Sequence, residues 1–127
     1  LLILSTLHPE ACIQFSNQLD TLSSPHLGLL GVGADGHTAG IFNQTDAIAR
    51  SAEKTLHTNR PDGMDGVSVS ASFIQSCRRI ILLATGESKR DILITLKKEP
   101  TTLIAGQVLF HHPQVEIWTD LDLSSYL

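Results

Sequence analysis

The sequence predicts an α/β protein: a mostly parallel sheet with helices on both faces. Three observations carry that prediction. Apolar runs of strand length recur, among them Leu27-Gly28-Leu29-Leu30, Ile80-Ile81-Leu82-Leu83-Ala84 and Val115-Glu116-Ile117-Trp118. Between them lie segments whose apolar residues repeat at helical spacing. Two of the runs end in loops that combine glycine with titratable side chains, Gly31 to Gly40 and Thr85 to Lys89. Strands that alternate with helices pair in parallel and are covered on both faces. Ligands of such sheets bind beyond the carboxyl ends of the strands, where both loops fall.

Leu1 to Leu4 reads as a short buried strand. His8-Pro9-Glu10 opens a helix, since proline suits the first helical turn. Ala11, Cys12, Phe15, Leu19 and Leu22 follow at helical spacing, and Ser23-Ser24-Pro25 ends the helix. Leu27 to Val32 forms the second strand, and the glycine turn after it leads into a short helix over His37 to Phe42. Residues 43 to 66 are polar; Asp46 to Leu56 fits a helix and Asn59 to Gly66 a loop. Val67-Ser68-Val69-Ser70 alternates with period two, the pattern of a strand with one wet face. Phe73 to Cys77 is a helical turn, and Ile80 to Ala84 a fully buried strand. Gly86 to Leu96 is a helix with Ile92, Leu93 and Leu96 facing inward, and Thr102 to Leu109 is another short helix. Val115 to Asp120 is the closing strand, in which Trp118 is a packing residue.

A chain of 127 residues sets one domain as the default and can bury a core without disulfide staples. Hydrophobic content of 42% with 17% charged residues is that of an ordinary soluble globular protein. The net charge is -4 and basic residues cluster no further than the pairs Arg78-Arg79 and Lys97-Lys98, which argues against nucleic acid as a partner. No apolar run approaches the roughly 18 residues of a membrane span. Leu1 to Leu4 lacks the basic flank of a secretory signal, so a cytoplasmic setting is expected. The chain starts without methionine on what reads as mid-strand, so upstream residues are expected as well. Cys12 and Cys77 sit in apolar periodic contexts without a CxxC partner and read as reduced core thiols, with no metal site through cysteine.

The run Gly31-Val32-Gly33-Ala34-Asp35-Gly36-His37-Thr38-Ala39-Gly40 is the densest in chemistry. Glycine lets the backbone turn sharply and approach a ligand closely, and a carboxylate beside an imidazole can move protons. Gly31, Gly33 and Gly36 formally spell G-x-G-x-x-G, but a dinucleotide site fits poorly. Asp35 would sit where a pyrophosphate needs bare amides, and no apolar strand precedes Glu53, near where a ribose-binding acid should stand. From the residues alone, His37 is a proton-transfer group or a hydrogen-bonded loop histidine, and Asp35 its helper or the N-cap of the short helix. Lys89, in the first turn of its helix, is a phosphate contact or a solvated lysine. His111-His112, before Pro113, reads as surface loop, and His8, His26 and His57 as loop or helix-end residues.

The run from Gly31 to Ala39 resembles the signature of the 6-phosphogluconolactonase family, whose relatives, the glucosamine-6-phosphate deaminases, carry a similar Asp-Gly-His. The likeness continues through Ile81-Leu82-Leu83-Ala84-Thr85-Gly86-Glu87-Ser88-Lys89, similar to the family's strand followed by Thr-Gly-x-x-Lys, and through the closing helix and strand ending in Asp120. His8 to Asp20 fits the helix before the signature. The resemblance implies the sugar-phosphate isomerase/lactonase-like fold. It makes residues 1-127 the C-terminal part of a single hydrolase/isomerase-like domain whose upstream half, with a further phosphate loop and an additional acid, is absent.

By that resemblance His37 is the general base that activates water against a lactone carbonyl, and Asp35 orients it. Gly33, Gly36 and Thr38 line the substrate, and Lys89 grips its phosphate. The implied reaction is hydrolysis of 6-phosphogluconolactone in the pentose phosphate pathway, without metal or organic cofactor. The implied partner is a phosphorylated sugar lactone, and a homo-oligomer is left open. The deaminases continue Asp-Gly-His-Ile-Ala-Phe-Asn-Glu-Pro, with a glutamate that assists ring opening; Thr38 and Gly40-Ile41-Phe42-Asn43 stand here without one, which favours the lactonase branch over a deaminase/isomerase. One departure stands out. The family's phosphate-binding arginine, at the head of an Arg-Ile-Thr-Leu-Thr-like run, aligns with Gly66. Arg60, on the loop before it, is the candidate substitute. Without a substitute, a non-catalytic sugar-phosphate binder is the third reading.

Overall fold

The computed structural model describes residues 9 to 126; the strand expected at Leu1 to Leu4, and His8, lie outside them. Helix α1 spans Pro9–Asp20, with Pro9 opening it and Ala11 and Leu19 as its buried positions. Strand β1 follows at Leu27–Leu30. Two further strands pair with it in parallel, β4 at Arg79–Leu83 and β5 at Val115–Trp118, in the order β1-β4-β5. Each connection between neighbours in this sheet contains helix: α2 (Gln44–Ile48) and α3 (Ala71–Gln75) before β4, and α4 (Arg90–Lys98) and α5 (Ile104–Leu109) before β5. Parallel pairing requires such crossovers.

The register sets which side chains share a face. Gly28 and Leu30 align with Ile80 and Leu82, and these with Val115 and Ile117. That face carries the core: Ile80, Leu82, Leu93, Val108 and Ile41 are essentially inaccessible and pack in one cluster. Burial of each such side chain contributes about 1.5–3 kcal/mol. The opposite face aligns Leu29 with Ile81 and Leu83 with Trp118. There Leu29 is 63% and Trp118 52% exposed. Trp118, expected to pack, is instead half-open, while Ile81 on the same face is buried.

The segment between α2 and α3 corrects two expectations. The helix foreseen over Asp46 to Leu56 is confined to Gln44–Ile48, where Asn43 caps it by accepting the Asp46 amide at 2.8 Å. Its C-cap, Ala49, turns extended. Thr55–Asn59 is then strand β2, paired antiparallel with β3 at Asp65–Val69. The expected loop shrinks to the turn of this hairpin, closed by Arg60 N–H to Met64 O at 2.9 Å. The wet face expected for Val67 to Ser70 is the inner one. Ser68 is 4% exposed, and Ser70 turns inward to cap α3 through the Phe73 amide and to donate to Glu53 O. Alternation reports two faces; it does not say which one finds polar partners inside.

The later elements lie close to expectation. The helix foreseen from Gly86 begins as a 3-10 turn at Glu87–Lys89 and continues as α4, and the last helix is preceded by a 3-10 turn at Pro100–Thr102. Among the described residues no helix is long and apolar enough to cross a membrane.

Candidate active site

The chain leaves β1 at Leu30 and folds back on itself within a few residues. Gly33 N–H donates to His37 O and Gly36 N–H to Gly33 O, both at 2.9 Å. Asp35 stands on the exposed crest of this loop. One of its carboxylate oxygens accepts the His37 amide at 3.1 Å and also engages the His37 ring at Nδ1. The Nδ1–Cε1 edge of the ring meets residue 33: a Cβ there would come within 2.2 Å of the His37 ring and 2.9 Å of the Asp35 carboxylate. Only glycine leaves room for the pair. Phe42 closes the other side of the ring, with centroids 4.5 Å apart. Gly36 takes φ +87°, a left-handed backbone natural to glycine, and Leu103 fills the space a side chain would need. The start of α5 fastens this corner by donating Ala105 N–H to Gly36 O at 2.8 Å.

The helix expected over His37 to Phe42 does not form. Thr38 and Ile41 form a bridge instead, with Ile41 N–H on Thr38 O at 3.0 Å and Ala39 left-handed at φ +49°. Two side chains outcompete helix formation. Thr38, 1% exposed, donates its hydroxyl to Gly31 O at 2.7 Å, and Ser68 of the hairpin accepts Gly40 N–H at 2.9 Å. Thr38 therefore belongs to the frame of the turn, not to its open side. With no helix following, Asp35 is not an N-cap; its oxygen serves His37. The amides of Gly33 and Gly36 are likewise engaged within the loop, while the exposed Ala34 amide has no partner among the described residues.

A carboxylate on Nδ1 selects the tautomer that carries its proton there and leaves Nε2 with a lone pair. The His37 hydrogen bond also holds the Asp35 carboxyl below the usual carboxylate range, against the opposing effect of partial burial. The turn thus presents an imidazole whose inner nitrogen is tethered and whose outer nitrogen is free to take a proton, the arrangement of an oriented general base.

Lys89 reaches the same place from the second loop. Its Nζ donates to Val32 O at 2.6 Å, so the ammonium lies against the exit of β1 with donors to spare. Arg60 sits at the hairpin tip, paired with Asp62 at 3.1 Å and half exposed. Its stem lies over Gly66: a Cβ at residue 66 would stand 3.4 Å from Arg60 Cγ. The Arg60 stem thus runs alongside Gly66 at contact distance, on the strand face that carries Thr58, whose methyl lies near both Gly66 and Gly40. The structure brings Gly33, Asp35, Gly36, His37 and Lys89 to one rim, while Arg60 stands at the tip of the hairpin, whose Ser68 holds Gly40. Two contributors, Phe42 and Ser68, do not stand out in the sequence. Phe42 could have been found as the aromatic five residues past the histidine. Ser68 acts across the fold and leaves no local pattern. Asp120, which the sequence places at the end of the closing strand, takes a role only in the structure, where it accepts Gly86 N–H at 2.9 Å.

Comparison with known proteins decides the family. The family described as glucosamine-6-phosphate isomerases/6-phosphogluconolactonase matches residues 6 to 115. The chain belongs to this family. The family match takes in both loops, the hairpin and the start of β5. The 6-phosphogluconolactonase of Helicobacter pylori is 31% identical over 104 residues, 79% of this chain and 45% of the relative. The glucosamine-6-phosphate deaminase of Staphylococcus haemolyticus is 32% identical over 120 residues, 84% of this chain and 50% of the relative. Among solved structures, the 6-phosphogluconolactonase of Trypanosoma brucei superposes with a TM-score of 0.73 over 93% of this chain and 53% of that protein, at 22% identity. At that identity the likeness establishes the fold. The chain spans about half the length of the curated relatives it matches.

Proposed function

We propose that this chain is the histidine-bearing, C-terminal part of a 6-phosphogluconolactonase, acting in the cytoplasm on the lactone of the pentose phosphate pathway. The observation that carries the reading is the tethered imidazole: His37 seated on Gly33 with Nδ1 on Asp35. Nε2 takes a proton from water as the water oxygen bonds to the lactone carbonyl carbon. The carbonyl oxygen gains the negative charge, within reach of crest amides such as that of Ala34. When the intermediate collapses, the carbonyl re-forms, the ring C–O bond breaks, and the imidazolium returns its proton to the departing ring oxygen. Lys89 grips the phosphate with the ammonium donors not used by Val32 O, and Arg60 supplies the second cation from the hairpin tip. The reaction calls for no cofactor.

The Staphylococcus haemolyticus relative favours a second reading, loss of ammonia from glucosamine 6-phosphate. The stretch after His37 argues the other way, since the apolar Ile41-Phe42 pair packs there and Phe42 covers the ring. The test is a coupled assay on the protein expressed from its full reading frame. Release of 6-phosphogluconate from freshly generated lactone, above the spontaneous rate, is the expected result. Ammonia release without lactone turnover would establish the deaminase. Tight phosphosugar binding with neither activity would make the protein a sensor.

A further inference from the structure

We infer that Asp120 is a positioning residue for Lys89, an inference that rests on the reading of Lys89 as the phosphate contact. The pairing of β4 with β5 runs one step past the strands, through Ala84 N–H on Trp118 O at 3.0 Å. Two residues further, the Asp120 carboxylate accepts Gly86 N–H at 2.9 Å. Gly86 O in turn accepts Lys89 N–H at 3.1 Å, closing the 3-10 turn from which the lysine projects to Val32 O. No side chain of that turn, or of the start of α4, caps it. The cap comes from just beyond the end of β5, 34 residues away. A second tie runs beside the first: Arg90 Nη1 donates to Asp122 O at 3.2 Å. The segment 120 to 122 therefore clasps the corner 86 to 90 at two points. Among the described residues Asp120 forms no ion pair, and its carboxylate serves the Gly86 amide.

The contact needs an acceptor oxygen and has no use for the charge. A carboxylate beside a phosphate site repels the ligand, so the neutral isostere should do as well or better. Asp120→Ala should raise KM for the phosphorylated lactone about tenfold, the worth of one hydrogen bond to a charged group, with kcat nearly unchanged. Asp120→Asn, which keeps the acceptor, should leave KM at or below the wild-type value. Asp120→Glu, a milder change that keeps the test open if the alanine variant does not fold, should raise KM because the longer side chain overshoots the amide. In the Lys89→Ala background Asp120→Ala should add almost nothing, since both act through one ammonium. These variants are measured in the full-length protein. A fall in kcat at constant KM, a KM in Asp120→Asn as high as in Asp120→Ala, or full additivity with Lys89→Ala would each overturn the inference while leaving Lys89 as the phosphate contact. If Lys89→Ala leaves KM unchanged, the phosphate reading of Lys89 falls, and the role given to Asp120 falls with it.

Discussion

The two loops that meet at the site are built on opposite plans. The His37 turn is largely self-contained: Gly33, Asp35 and Thr38 supply its inner bonds, all within ten residues of chain, and α5 and the hairpin add an anchor each. The Lys89 corner has no comparable internal frame. Its conformation leans on Asp120 and Asp122 of the closing segment, and its ammonium leans on a carbonyl of the other loop. A local frame fixes the orientation of a group that must transfer a proton. A remote frame sets the position of a group that need only attract charge. Damage to the first should therefore appear in kcat and damage to the second in KM.

The sharpest way to break that contrast is His37→Ala, which should lower lactone turnover by about 10²–10⁴-fold, the scale of a lost general base, with KM little altered; steady-state kinetics on the full-length protein decide it. Gly33→Ala comes next. Its methyl would occupy the place of the imidazole, so the ring must swing away from Asp35, and a displacement on the ångström scale costs about 10²-fold in rate. The same variant should stay folded by circular dichroism, which separates a misplaced base from a lost fold. Lys89→Ala should raise KM about tenfold and leave kcat nearly as it was. A kcat loss there equal to that of His37→Ala would erase the distinction between the loops.

The smallest effect is electrostatic. Because the folded Asp35 carboxyl is held low by His37, its bond stabilises the turn at all pH values above the ordinary aspartate range. That contribution fades as pH falls through the range toward the lower folded value, where Asp35 takes up a proton. Carboxyl-carbon NMR should show Asp35 titrating below the usual aspartate range, and closer to that range in His37→Ala, which keeps the residue-37 amide.

The same contrast explains what could be read from the sequence. The parallel sheet was legible because Ile80 to Leu83 and Val115 to Trp118 carry apolar strand patterns, and the histidine turn because its parts are consecutive. The segment 49 to 58 was not. Its strand character comes from pairing with Asp65 to Val69, a non-local partner that no periodicity within Thr55 to Asn59 announces. The helix expected after His37 fails for the same reason: Thr38 and Gly40 prefer Gly31 O and Ser68, and the second of these is 28 residues away. Arg60 lies beside the missing arginine in sequence; that its stem runs along Gly66 is a property of the hairpin alone.

The half-open indole beside Leu29 and Leu83 has an optical consequence. Trp118 is the sole tryptophan in the chain, so intrinsic fluorescence reports that one surface without labelling. Emission from water-facing tryptophan lies to the red of emission from a dry environment. A blue shift on mixing with any candidate polypeptide would therefore read out coverage of Leu29, Leu83 and Trp118 directly, and an unmoved spectrum would show that side still wet.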